Sequence, residues 1–201
     1  MKKIEMESLP QEDPRNLSVI QHLEEFRLRI IYSLCFFTAF TILSFTLGKS
    51  ILEYVKFPVR DIIDDFIFIS PPEAFMAYLK ISLLAGFISS FPFILFQARA
   101  FIVPAVPGKT RKRFDIWVAA ALFLFFAGTM FSYFVAIPAA LRFLIDFGSS
   151  IASPRITMGK YISFFISLIL AGGLVFEIPV ISAAGTEAGF IKSSFLRAKR
   201  H

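Results

Sequence analysis

A chain of 201 residues with 56% hydrophobic and only 18% charged residues is too apolar for a water-soluble domain, where about half the residues are apolar and about a quarter charged. Its one cysteine, Cys35, excludes an internal disulfide, and two histidines, His22 and His201, supply no ligand set for zinc or haem, so neither metal nor cofactor is expected. A net charge of +6 raises nucleic acid as a partner until the charges are placed, because they flank apolar stretches instead of forming one patch.

Residues 1–17 read as a polar tail. Ser18 with Gln21 reads as a capping box that opens a helix. Val19, Leu23, Phe26 and Ile30 share one face of it and Glu24, Glu25, Arg27 and Arg29 the other, which predicts an amphipathic helix lying at the membrane surface before turning into a first span. Eleven charges in the first 29 residues exclude a cleavable signal peptide. Residues 30–48, 81–98 and 116–141 carry no charge, and residues 161–186 carry only Glu177. Each is long enough to cross a bilayer, which takes about 20 apolar residues. The expected architecture is all-α: one polytopic membrane domain over residues 18–186, with spans near 30–48, 79–98, 116–138 and 161–184 and a basic tail at 187–201. Four helices apolar all round have no polar cover in so short a chain, which argues against a buried soluble bundle.

The loop at 49–70, with Asp61, Asp64 and Asp65, is read as containing a short amphipathic helix through Ile62, Ile63 and Phe66. Ser70-Pro71-Pro72-Glu73 is a helix start, with Ser70 as N-cap and Pro71 first in the helix, so the second helix begins outside the lipid. Pro92, Pro138 and Pro179 predict bends inside spans, and Gly172-Gly173 close helix contact or bending. Of the 21 Lys and Arg residues, fourteen lie in the N-terminal segment, the loop between spans two and three, and the tail. The positive-inside rule then places both termini in the cytoplasm.

Two carboxylates stand out. Glu177 is about 24 Å into its span at ~1.5 Å per residue; it reads either as a polar contact in a cavity or as a protonated or snorkelling group near the helix end. Glu25 and Arg29, four apart, form an ordinary helix-surface pair on spacing alone.

The wider pattern resembles the C subunit of twin-arginine translocases, the TatC family. The pieces are His22-Leu23-Glu24-Glu25-Phe26-Arg27-Leu28-Arg29-Ile30, then Ser70-Pro71-Pro72-Glu73-Ala74-Phe75 with Lys80, then Pro92, Gln97 and Phe101-Ile102-Val103-Pro104, then Gly128, Phe131, Tyr133 and Pro138, then Phe176-Glu177-Ile178-Pro179-Val180. The resemblance implies a concave helix bundle in a bacterial inner membrane that receives twin-arginine signal peptides of folded cargo, works with the single-span partners TatA and TatB in an oligomeric complex, draws on the proton gradient, and is no enzyme. It implies that Glu25, Arg27, Phe101 and Pro104 bind the signal and that Glu177 sits in the concave face. Thr110 stands where the family usually carries a loop glutamate, Arg99-Ala100 occupies the place of a frequent tryptophan, and four spans stand where the family has six. A truncation, an interrupted gene and a natural short form all fit that count, and the expectation is a chain that binds signal peptide but does not export. The rival readings are a solute or ion transporter using Glu177 and a membrane scaffold. A single intramembrane carboxylate without internal repeats speaks against the first.

Overall fold

The structure, a computed structural model, describes residues 14–63, 65–105, 108–149 and 154–187. Hydrocarbon offers a backbone no hydrogen-bond partner, so the apolar stretches satisfy their amides as helices. The order is α1 (Pro14–Thr46), α2 (Gly48–Lys56), a 3₁₀ turn (Phe57–Val59), α3 (Pro71–Ile102), a second 3₁₀ turn (Val103–Ala105), α4 (Gly108–Phe131), a π turn (Ser132–Ala136), α5 (Ile137–Ser149) and α6 (Met158–Glu187). Four helical segments are long and apolar enough to cross a membrane: His22–Thr46, Pro71–Ile102, Arg113–Ser149 and Met158–Thr186. No strand occurs among the described residues beyond one isolated bridge, Ile67 to Thr157. The all-helical, four-helix expectation holds.

Three local expectations do not. Helix α1 runs unbroken for 33 residues, so there is no turn between an amphipathic segment and a first span; no Gly or Pro lies between Pro14 and Gly48 to stop propagation. Ser18 therefore lies inside the helix, five positions into Pro14–Thr46, and not at an N-cap position. In the following loop the helix is α2, and Ile62, Ile63 and Phe66 lie in irregular chain, because Pro58 and the Asp-rich stretch follow directly. Asp64 lies outside the described residues, as do residues 188–201 of the basic tail with Lys192, Arg197, Lys199 and Arg200.

Helix α3 starts where the sequence places it, with Ser70 extended and Pro71 in the first turn. Ser70 makes no side-chain cap bond; Glu73 closes the turn instead, accepting the Ile69 N–H at 2.9 Å. Pro92 and Pro179 lie inside continuous helices. Pro138 lacks an N–H and crowds the preceding turn, and the π turn lies directly before it.

The end of the bundle where α1 begins is here the near end, and the opposite one the far end. The buried core lies toward the far end, where Val55, Val59 and Ile63 fold onto Ile81 and Leu84 of α3, Ile137 and Leu141 of α5, and Tyr161, Ile162 and Phe165 of α6. Hydrogen bonds close this end. At the end of α2 the Phe57 N–H is shared between the Glu53 and Tyr54 carbonyls, and two tyrosines reach the last turn as well: the Tyr161 hydroxyl donates to the Val55 carbonyl at 2.5 Å and the Tyr133 hydroxyl to the Tyr54 carbonyl at 2.6 Å. Helix α6 likewise exposes its first N–H groups. Met158 donates to the Ile67 carbonyl at 3.1 Å, Gly159 to Glu73 Oε1 at 2.9 Å, and Lys160 to Thr157 Oγ1 at 3.4 Å. Glu73 thus serves two helix starts at once, with a negative charge favoured at each.

Helix α1 lies along α3, and Gly86 makes the approach possible: a Cβ there would meet the Thr41 Cα at 2.7 Å. Helices α4 and α6 touch through backbone. A Cβ on Gly172 would lie 2.8 Å from the Gly128 carbonyl oxygen, and one on Gly128 would lie 2.9 Å from the Gly172 carbonyl carbon. Small residues facing each other let membrane helices gain dispersion contact where no hydrophobic driving force separates them from lipid. Replacing Gly128 with Val forces these backbones apart. We expect a loss of about 1–3 kcal/mol, the usual range for overpacking, read as a lower unfolding midpoint in detergent; an unchanged midpoint would mean the helices do not touch at that point.

Candidate functional site

At the near end, α1 and the last turns of α3 form a seam of polar and aromatic side chains. Glu25 and Arg29 are both half-buried, and Arg29 Nη2 lies 3.0 Å from Glu25 Oε1. Arg29 Nη1 donates to Gln97 Oε1 of α3, also at 3.0 Å. One guanidinium therefore joins two acceptors on two helices. A turn further along α3, the Phe101 ring stacks on His22 with centroids 4.4 Å apart and meets Phe26 at 5.1 Å. The i, i+4 spacing of Gln97 and Phe101 puts both on the α3 face that meets α1, and His22, Glu25, Phe26 and Arg29 follow the matching stripe of α1.

Five residues were singled out from the sequence. Glu25 and Phe101 come together in this seam. Pro104 follows Phe101 by three residues, exposed in the 3₁₀ turn. Arg27 is exposed and stands about 200° around the helix from Glu25, so it belongs to another face of α1. Glu177 is far along α6. Sequence reasoning passed over His22, Arg29 and Gln97 as site residues. Arg29 was visible only as a helical neighbour of Glu25, and Gln97, 68 residues away in sequence, gives no local signal of its partner. His22 stands one turn before Phe26, a spacing that marks a shared face. Beyond the seam, Arg99 of α3 pairs with Asp115 of α4, tying the two ends of the connecting loop together. Thr110 lies in α4, its side chain outside the described residues.

Glu177 is 5% exposed. Its Oε1 is buried and has no hydrogen-bond partner among the described residues. One turn earlier, Gly173 faces Phe125 of α4 so closely that a Cβ would lie 2.7 Å from the ring; the carboxyl group is thus held in the tight α4–α6 region. A separate cavity of about 520 Å³ opens toward the far end between α2, α3, the π turn and α6. Tyr54, Val55, Ile81, Leu84, Tyr133 and Phe165 are among its walls; among the described residues no charged side chain lines it, Glu177 included. This space suits an apolar segment and disfavours an ion.

Residues 21–201 match the family described as TatC, Sec-independent protein translocase protein. The Sec-independent protein translocase protein TatC of Carboxydothermus hydrogenoformans is 34% identical over 188 residues, covering 94% of this chain and 77% of that one. A tatC-like protein, ycf43, of Pyropia yezoensis is 36% identical over 186 residues, covering 92% of this chain and 72% of that one. Among solved structures, a crystal structure of the twin-arginine translocase receptor TatC superposes with a TM-score of 0.79 at 33% identity, covering 88% of this chain and 79% of that one.

The buried Oε1 of Glu177, without a partner among the described residues, works against stability, because such an atom costs about 1–3 kcal/mol. We expect Glu177→Leu to raise the unfolding midpoint in detergent. A lower midpoint would reveal a favourable contact at that carboxyl.

Proposed function

The chain belongs to the TatC family of Sec-independent protein translocase proteins, and we propose that within a twin-arginine translocase it serves as the receptor subunit that takes up the signal peptides of folded cargo. The observation that carries the proposal is the half-buried Glu25 carboxylate set in an aromatic seam. A carboxylate accepts a guanidinium through two parallel N–H bonds, which the single-point ammonium of lysine does not reproduce. Partial burial strengthens that interaction over the same pair in open water. Phe101, with its ring already against His22 and Phe26, offers a wall for the stem of an arginine side chain, and the exposed Pro104 extends the same surface. Arg27 carries the charge of the peptide's own arginines and stands on the opposite face of α1. Its part in binding is therefore to bias the approach of the signal toward the Glu25 face, in place of a direct contact.

The apolar stretch that follows the arginines of such a signal needs an apolar path into the bilayer. Glu177 stands toward the same end of the bundle as Glu25, and once α4 and α6 part, its carboxyl offers a polar group of an incoming helix an acceptor within the membrane. The proposal further places both termini in the cytoplasm and the chain in a bacterial inner membrane, joined by TatA- and TatB-type single-span subunits, with the proton gradient driving transport. No bond in the cargo is made or broken, so the chemistry is recognition and displacement only. A solute path usually needs several intramembrane polar groups, whereas the apolar stretches 30–48, 81–98, 116–141 and 161–186 hold one charge, Glu177.

Photo-crosslinking of a twin-arginine signal peptide to the chain in membrane vesicles tests the reading. We expect a crosslink that fades with a twin-lysine peptide and with Glu25→Ala, the variant weakening binding about ten- to a hundredfold, as expected for losing charge-assisted hydrogen bonds. Equal crosslinking of both peptides, or indifference to Glu25→Ala, would overturn it.

A further inference from the structure

We propose that Arg29 is an internal competitor for the Glu25 carboxylate, so that the chain holds its own arginine in the place a signal peptide's arginine must take. The inference rests on the reading of Glu25 as the arginine contact and adds to it the state of that contact before the peptide arrives.

The geometry carries it. In the chain alone, Glu25 Oε1 is already engaged by a guanidinium at 3.0 Å. That guanidinium does not move freely, because its other nitrogen is fixed on Gln97 of the neighbouring helix at 3.0 Å. Gln97 therefore preorganises the competitor: it removes rotamers in which Arg29 points to solvent, lowering the entropy lost in pairing with Glu25. Both side chains of the pair are about one-third exposed, so bulk water and salt screen them less than a surface pair. The i, i+4 link makes the competition unimolecular, at the same strength whatever the concentration of signal peptide.

Competition and positioning predict opposite signs. If Arg29 only oriented Glu25, removing it would loosen the carboxylate and weaken every ligand. As a competitor it is displaced by each ligand alike, so its removal tightens twin-arginine and twin-lysine peptides by the same factor and leaves their ratio unchanged. In this arrangement Arg29 sets how strong a ligand must be, while the guanidinium geometry at Glu25 sets which ligand is preferred. An arginine pair then passes a threshold that a lysine pair, weaker from the start, does not reach.

The experiment measures the affinity of fluorescent twin-arginine and twin-lysine signal peptides for the full chain in lipid nanodiscs. Arg29→Gln removes the competitor and its charge. Arg29→Lys keeps the charge and removes the fork, which separates competition from simple repulsion of cationic ligands, and as the gentler change it also reports if Arg29→Gln folds poorly. We expect both variants to tighten both peptides, Arg29→Gln by about three- to tenfold, a range set by a partly screened ion pair. With Glu25→Gln as the background, Arg29→Gln should tighten neither, since the two changes act through one contact. Weaker binding in Arg29→Gln, or no tightening in Arg29→Lys, overturns the competitor. If Glu25→Gln alone leaves twin-arginine binding intact, the reading of Glu25 fails and the competitor with it. If that variant loses binding while the Arg29 variants gain none, only the competitor fails.

Discussion

A backbone amide inside a bilayer finds no water to bond, and every helix that ends near the membrane must have its last carbonyls and first N–H groups met by something else. The far end of this bundle is organised around that demand. Tyr133 and Tyr161 reach back to the terminal carbonyls of α2, Ile67 covers the first N–H of α6, and a single carboxylate, Glu73, closes the start of α3 and the second N–H of α6 together. Once the loop between α1 and α3 is drawn in by these bonds, its Val55, Val59 and Ile63 become core. The polar contacts and the apolar packing of this end are consequences of one another.

The near end is built otherwise. Its polar contacts are between side chains, across the seam of α1 and α3, and they leave charged and aromatic groups partly accessible. Only 6% of the α1 apolar window is buried within the chain, against 28–33% for the other three. The recognition surface proposed for this TatC-family protein thus lies on its least enclosed helix, close to a rigid neighbour. That division suits a receptor, since the residues that change partners are not those that hold the bundle together.

How far the sequence discloses this differs between the two ends. Absence of charge over 18 or more residues is a strong signal, because a lone charge in lipid is costly; it locates three of the four long helices, and the fourth shows as 26 residues interrupted only by Glu177. The Ser70-Pro71 start is equally legible, since proline at a first helical position has one meaning. The continuity of α1 is not, because an amphipathic segment followed by an apolar one reads the same whether or not it bends between them. The position of the loop helix is hidden for a related reason: Ile62, Ile63 and Phe66 are apolar because they pack on the far end, as Phe66 does against Tyr161 with ring centroids 4.8 Å apart, and burial without helical structure leaves much the same residues. At the site, the motif around Glu25 names the carboxylate but conceals that Arg29 and Gln97 hold it, because that bond depends on how α1 meets α3. Glu177 announces its burial by its rarity, and only the packing of α4 on α6 tells that its Oε1 stands without a partner.

The π turn before Pro138 sets the phase of the third long helix. Buried positions in its middle fall at Ala121, Phe125, Gly128, Thr129 and Ser132, then at Ile137 and Leu141. Up to Ser132 they keep the three-or-four spacing of an α-helix; the next step, of five, spans the π turn, where an α-helix would put the next inward residue at 135 or 136. Were the same residues wound as unbroken α-helix, every later side chain would be turned by about 100°, and Ile137 and Leu141 would leave the core for the lipid. The helix is in effect two inward-facing stripes spliced out of step. A deletion of one residue between 132 and 136 would therefore let the π turn relax into α-helix with α5 still in phase, while a second residue inserted there would be felt as a rotation of all of α5.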